Sequence, residues 1–247
     1  MTRTLEARKK TQNIAAHRGM SGLYPENTLA AFKAVKRAGF SWIEADISML
    51  RDETMIIFHD DSQGRTVPGH KKVSDLCWSD FENVDVGAWK GAEFSNQKVL
   101  RLEDLLIWAD ENDMALILEM KCHGSRQCRS AEVLLSKIGH DQKRNILVSS
   151  FDLDFLRNIR SLAPKIRLAS IHSSLPENVE RLKRQLSIEA VHLDNKLVQS
   201  EAEVKLFHDR GILVRVWTVN KKSRAKHLFN LGVDMVMSDY PERIGIV

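Results

Sequence analysis

Short apolar, β-branched runs alternate with amphipathic helical stretches along nearly the whole chain, and this rhythm limits the fold more than any other feature. The runs are "NIAAH", "WIEADISM", "ALILEMK", "NILVSSF", "IRLASIH", "IEAVHLD", "ILVRVWTVN" and "VDMVMSD", and segments such as "NTLAAFKAVKRAG", "LEDLLIWADEND" and "SAEVLLSKIG" lie between them. Eight strands separated by helices in 247 residues match the usual size of an eightfold β/α barrel. A doubly wound open sheet usually has fewer strands, and no glycine-rich nucleotide loop follows the first run. The expected fold is α/β, a (β/α)8 TIM barrel forming one domain over residues 1–247.

The rhythm breaks once. Between the second strand and the helix beginning near Leu102 lie about fifty residues, long for a βα loop, and loops of that length are usually functional or small subdomains. They start with the strand-like "TMIIFHDD" and continue through "GRTVPGHKKVSDLCWSDFENVDVGAWKGAEF", which gives an expected insertion at about 61–100. Every βα loop of such a barrel faces the catalytic end, so the insertion belongs there too.

Residues at the C-terminal ends of barrel strands line a shared mouth. The first strand ends in His17 and Arg18. The second carries Glu44 and Asp46, two residues apart and therefore on one strand face with Cα atoms about 7 Å apart. The next brings Glu119 and Lys121 in the same arrangement. Three carboxylates converging on one rim repel one another unless a cation neutralises them. All-oxygen ligation favours a hard ion, so the expected cofactor is a divalent metal, Mg²⁺ or Ca²⁺, on Glu44, Asp46 and Glu119. The competing reading pairs the carboxylates with Arg18, Lys121 and Arg51 as a structural network.

Arg18 can grip two phosphate oxygens with its guanidinium fork and Lys121 adds a point charge, a combination suited to a phosphate beside a metal. His59, ending the strand-like run "IIFH", supplies a second imidazole at the same rim. Two histidines can exchange protons near neutrality, as a general acid and general base must. The other histidines, 70, 123, 140, 172, 192, 208 and 227, are read as structural, with His172 and His192 the two whose strand-end positions could face the cleft.

Composition narrows the field further. The formal net charge is +4 and the pI about 8.9, with basic and acidic residues interspersed; a nucleic-acid surface would concentrate them. No apolar run is long enough to span a bilayer, and the basic start "MTRTLEARKKTQ" lacks the apolar region of a secretory signal, so the expected location is the cytoplasm, without stable membrane insertion. Cys77, Cys122 and Cys128 are an odd number of thiols, expected to be reduced. Cys122 and Cys128 flank His123 at a spacing that does not suit zinc and lacks a fourth ligand.

Taken together, "HRG" with "PENT", then "EAD", "FHD", "LEMK", and late in the chain "WTVN" and "SDYP", resemble the glycerophosphodiester phosphodiesterase family in order and spacing. The insertion is similar to that family's own, with its Arg-Thr start and its Asp-x-Gly-x-Trp segment. The resemblance implies a barrel enzyme that cleaves small glycerophosphodiesters, such as glycerophosphocholine or glycerophosphoethanolamine, into sn-glycerol 3-phosphate and an alcohol. It places the catalytic histidines on His17 and His59, the metal ligands on Glu44, Asp46 and Glu119, the phosphate-binding cations on Arg18 and Lys121, and a substrate-pocket aromatic on Trp217. Asn27 or Thr28 suits a helix cap and Glu26 could orient Arg18.

Two departures from the family's pattern, Leu100-Arg101 before the second helix and Ser238 before Asp239, touch no expected catalytic group. Three rival functions frame the reading. A lysophospholipase D would need an apolar groove, for which Trp78, Phe81, Trp89 and Phe94 are candidates. A silent phosphate-binding module would have lost a histidine or a metal carboxylate. A barrel aldolase or isomerase would carry a glycine-rich phosphate loop after the late strands, where this chain has "TVNKKSRAK".

Overall fold

The computed structural model describes residues 13–123, 126–139 and 145–245. The basic start of the chain and His140 lie outside them. Among the described residues nine strands form one sheet in the order β1-β9-β8-β7-β6-β5-β4-β2-β3, and β1 pairs with β2 to close it. All pairings are parallel except β2 with β3, so eight strands make a closed parallel barrel with β3 as a short antiparallel addition.

The barrel strands are β1 (Ile14–His17), β2 (Trp42–Met49), β4 (Ala115–Lys121), β5 (Ile146–Ser150), β6 (Leu168–His172), β7 (Ala190–Asp194), β8 (Leu213–Trp217) and β9 (Met235–Ser238). Most are followed by a helix: α1 (Leu29–Arg37), α2 (Leu102–Glu111), α3 (Gln127–Ile138), α4 (Leu153–Leu162), α5 (Val179–Leu186), α6 (Glu201–His208), α7 (Lys222–Asn230) and the short α8 (Pro241–Ile244). Side-chain caps start several of them. Thr28, Asp152, Asn178 and Ser200 each accept a backbone N–H from the first turn of their helix, which satisfies donors that would otherwise lack a partner.

Strand alternation sorts the side chains into two cores. In β4, Leu116 and Leu118 face the helices, while Ile117 joins Ala15, Leu147, Ala169, Ala190, Met235 and Met237 in a cluster inside the barrel, flanked by Trp42 and Trp217. The same alternation turns Glu119 inward, one layer above Ile117. Register then levels the rim: His17 pairs with Glu44, Asp46 with Glu119, and Glu119 with Ser149.

The second strand fills the whole run "WIEADISM" and extends three residues past Asp46, where β3 (Met55–Ile57) gives Ile47, Ser48 and Met49 antiparallel partners. This hairpin also fixes the next segment. The Phe58 N–H donates to the Asp46 carbonyl at 3.0 Å, and the Ser48 hydroxyl donates to the Phe58 carbonyl at 2.8 Å, so His59 leaves the hairpin at the barrel mouth. Beyond it the insertion has a core of its own, built from Leu50, Ile56, Phe58, Val67, Val73, Leu76, Phe81, Val86 and Val99. Phe81 is fully buried there and Trp78 packs against it, while Phe94 rests on Tyr24. Of the four aromatic candidates, Trp78 and Phe81 are thus spent on the insertion's own core, Phe94 packs on Tyr24, and Trp89 stays 40% exposed. Among the described residues no helix is long and apolar enough to cross a membrane.

Candidate active site

The site begins where β1 stops. Arg18 takes a left-handed conformation (φ 57°) and its backbone N–H donates to Glu44 Oε2 at 3.0 Å, so the turn is tied to the neighbouring strand at once. Gly19 follows at φ 80°, where a Cβ would stand 2.7 Å from the Ala31 Cβ. Only glycine suits both the angle and the approach of α1. The turn leaves His17 at the rim, with Nδ1 2.6 Å from Asp239 Oδ1. Asp239 is itself held by the Ser21 hydroxyl at 2.9 Å and by Asn220 Nδ2 at 2.7 Å.

His59 repeats the arrangement, with Nδ1 2.7 Å from Asp60 Oδ1. A carboxylate at Nδ1 fixes each ring and leaves Nε2 as the nitrogen available for proton transfer. Their environments differ. Burial pulls the His17 pKa down, but the Asp239 hydrogen bond and the Glu44 charge prevail and its net direction is upward. Burial also lowers His59, and the charges of Arg18 and Lys121 reinforce it against Asp46 and Asp60, so its net direction is downward.

Glu44, Asp46 and Glu119 are all buried, and one oxygen from each lies within 4.8 Å of the others. Their neutralisation is unequal. Asp46 stands between Arg18 Nε and Lys121 Nζ, each at 3.0 Å, and its pKa falls below the ordinary range because those two cations outweigh the burial that opposes them. Glu119 also meets the Lys121 ammonium. Glu44 has no such partner: burial first, then the Asp46 charge, push it far above the usual carboxylate range, and its Oε1 is buried with no hydrogen-bond partner among the described residues. An uncompensated buried carboxylate costs several kcal/mol. A divalent cation is the group that would satisfy Glu44 Oε1 and relieve the mutual repulsion, so the donor set fits a hard ion. The purely structural network is incomplete, since Arg51 bonds Cys77 instead.

"PENT" divides its labour. Thr28 caps α1. Asn27 Nδ2 donates to Asp46 Oδ2 at 2.8 Å, and Glu26 Oε1 accepts from Arg18 Nη1 at 2.8 Å. Arg65 then joins the two halves of the site. Its Nη1 and Nη2 each donate to Glu26 at 2.7 Å, while its Nε and Nη2 each donate to Asp60 at 2.9 Å. The carboxylate behind Arg18 and the carboxylate behind His59 are therefore held by one guanidinium.

A cavity of about 190 Å³ opens over this rim, lined by His17, Arg18, Glu44, His59, Glu119 and Lys121 on its charged side. Ser149, Phe151, Ile171, His192, Trp217 and Met237 complete it. Seven of the expected site residues line the cavity and Asp46 is buried beside its ligand partners. Trp217 Nε1 donates to the His192 carbonyl at 3.3 Å, which sets the indole against the wall.

The sequence matches the family described as the glycerophosphoryl diester phosphodiesterase family over residues 17–243. The chain belongs to that family. Bacillus subtilis YhdW is 30% identical, with 94% of this chain and 96% of that protein covered. A glycerophosphodiester phosphodiesterase from Caldanaerobacter subterraneus is 27% identical, over 94% and 95% of the two chains. Among solved structures, an Oleispira antarctica phosphodiesterase in complex with the product sn-glycerol-3-phosphate superimposes with a TM-score of 0.89 at 29% identity, covering 96% of this chain and 97% of that one.

Asp60, Arg65 and Asp239 beside the rim escaped the sequence reading, as did Ser149, Phe151, Ile171 and Met237 in the cavity lining. Asp60 and Asp239 follow His59 and Ser238 in quoted motifs, yet nothing local marks them as imidazole partners. Arg65 stood only as the start of the insertion. Of the two histidines whose strand-end positions could face the cleft, His192 lines the cavity, whereas His172 bonds Ser170 and is not part of the lining.

Proposed function

We propose that this family member hydrolyses small glycerophosphodiesters to sn-glycerol 3-phosphate and an alcohol, with His17 and His59 as its proton-transfer pair. One observation carries the reading: two imidazoles, each fixed at Nδ1 by a carboxylate, share a cavity with a carboxylate triad and two fixed cations. The Oleispira relative, in complex with a product of this kind, supports the substrate class.

In this reading Arg18 and Lys121 hold the non-bridging phosphate oxygens and offset the negative charge that grows in the transition state. His59, whose surroundings favour the neutral ring, takes the proton from the nucleophile. His17, whose surroundings favour the charged ring, gives a proton to the departing alcohol. A divalent cation, Mg²⁺ or Ca²⁺, held by Glu44, Asp46 and Glu119 would supply Lewis-acid polarisation of the phosphoryl group.

The nucleophile is water or the glycerol hydroxyl next to the phosphate, and phosphorus NMR during turnover of glycerophosphocholine separates them. Transient cyclic glycerophosphate marks intramolecular attack; direct appearance of sn-glycerol 3-phosphate marks water. A spectrum in which neither product forms would refute the reaction.

Arg65 provides a further test of the site. Arg65→Ala frees Glu26 and Asp60 together, so kcat is expected to fall about 10- to 100-fold, the scale set by small misplacements of reacting groups. Arg65→Lys should recover little, because an ammonium cannot fork to both carboxylates. Steady-state kinetics that leave kcat within twofold of wild type in both variants would remove the role.

A further inference from the structure

The cavity has two unlike walls. One is the charged rim. The other is formed by Phe151, Ile171, Trp217 and Met237, with two polar side chains set among them, Ser149 and His192. Ser149 is wholly buried and His192 is 1% exposed. Ser149 Oγ and His192 Nε2 are both buried without a hydrogen-bond partner among the described residues. Buried polar atoms are nearly always bonded, so two such atoms lining one cavity mark a place where a ligand supplies the partners.

From these atoms we infer that Ser149 and His192 recognise the terminal hydroxyl of the glycerol unit, the one remote from the phosphate. The inference rests on the proposed reaction and adds which end of the diester enters this wall. With the phosphate on Arg18 and Lys121, the part of the substrate reaching past Glu119 meets Ser149, its register neighbour, on β5 and then His192 on β7. Carbon–hydrogen faces of a three-carbon polyol suit the apolar side chains, and its hydroxyl can donate to or accept from a neutral imidazole and a serine. Burial, reinforced by the nearby Arg215 charge, keeps His192 neutral. A quaternary ammonium group offers no hydrogen to either atom and would leave both unbonded, so the glycerol end is the one assigned to this wall and the choline end is placed outward.

The test compares glycerophosphocholine with its propane-1,2-diol analogue, which keeps the hydroxyl next to the phosphate and lacks the terminal one. Wild type is expected to favour the glycerol ester by about 100-fold or more in kcat/KM, because a site built to bond a hydroxyl rejects the analogue that lacks it. In Ser149→Ala and His192→Leu that preference should collapse to within a few-fold, the loss falling mainly on the glycerol ester. His192→Gln, which restores a polar atom, should recover part of it. Titration calorimetry with sn-glycerol 3-phosphate and propane-1,2-diol 1-phosphate reads the same discrimination without turnover. An inactive wild type that still discriminates in binding would keep the wall and remove the reaction. A wild type without preference in either assay, or variants that slow both esters equally, would overturn the inference and leave the two atoms to ordered water.

Discussion

Alanine at His17 or at His59 is expected to lower kcat by about 10²- to 10⁴-fold, the usual contribution of a positioned acid or base. That loss corresponds to about 3–5 kcal/mol of transition-state stabilisation. The two variants should differ in one respect. If His17 protonates the leaving alcohol, an ester of p-nitrophenol, which departs without a proton, should rescue much of the deficit in His17→Ala and little of it in His59→Ala. The double variant should be scarcely worse than either single one, since the residues act as a unit. Near-normal turnover in either alanine variant would sink the assignment, and rescue of the His59 variant instead would exchange the two roles.

Glu44→Gln should separate stability from function. In the protein without ion, Glu44 is a buried carboxylate beside Asp46 with no cation of its own. Replacing it by a side chain that never ionises, so that folding takes up no proton there, is expected to raise the melting temperature by a few degrees, about 1 kcal/mol in a chain of this size. The same change removes a ligand, so activity should fall by more than about 10³-fold, and the melting temperature should cease to respond to Mg²⁺ or Ca²⁺. Stability of the ion-free wild type should also drift with pH. The folded pKa of Glu44 lies above its unfolded value, so the native state holds the extra proton; this contribution is fully present below the unfolded pKa and is lost as pH rises through the folded one. A saturating divalent ion should flatten that slope, and Glu44→Gln should lack it. A variant that melts lower than wild type without ion would show that Glu44 is held by groups other than the proposed ligand set.

The parts of this site that sequence made legible are those governed by local spacing. Glu44 and Asp46, or Glu119 and Lys121, share a face because strands repeat every two residues, and strand ends meet at one rim because the barrel is closed. The long segment after the second strand announced itself by interrupting the rhythm. What remained hidden depends on distance through space. Asp239 meets His17 from 222 residues away, and no pattern near "SDYP" specifies that partner. Arg65 acquires its place only when the insertion folds back over Glu26 and Asp60. His192 was one of two strand-end histidines that could face the cleft; which of the two does so, and the unbonded nitrogen it presents, depend on the neighbours that β5, β6 and β8 bring to it.

The most direct test of the account measures sn-glycerol 3-phosphate released from glycerophosphocholine and glycerophosphoethanolamine by the purified protein, with Mg²⁺, with Ca²⁺ and with excess chelator. Release that requires one of the ions and stops on chelation is the expected result, and the ion that restores it names the cofactor. Release that persists in excess chelator would contradict the metal-carboxylate site, and no release from either substrate with either ion would contradict the reaction itself.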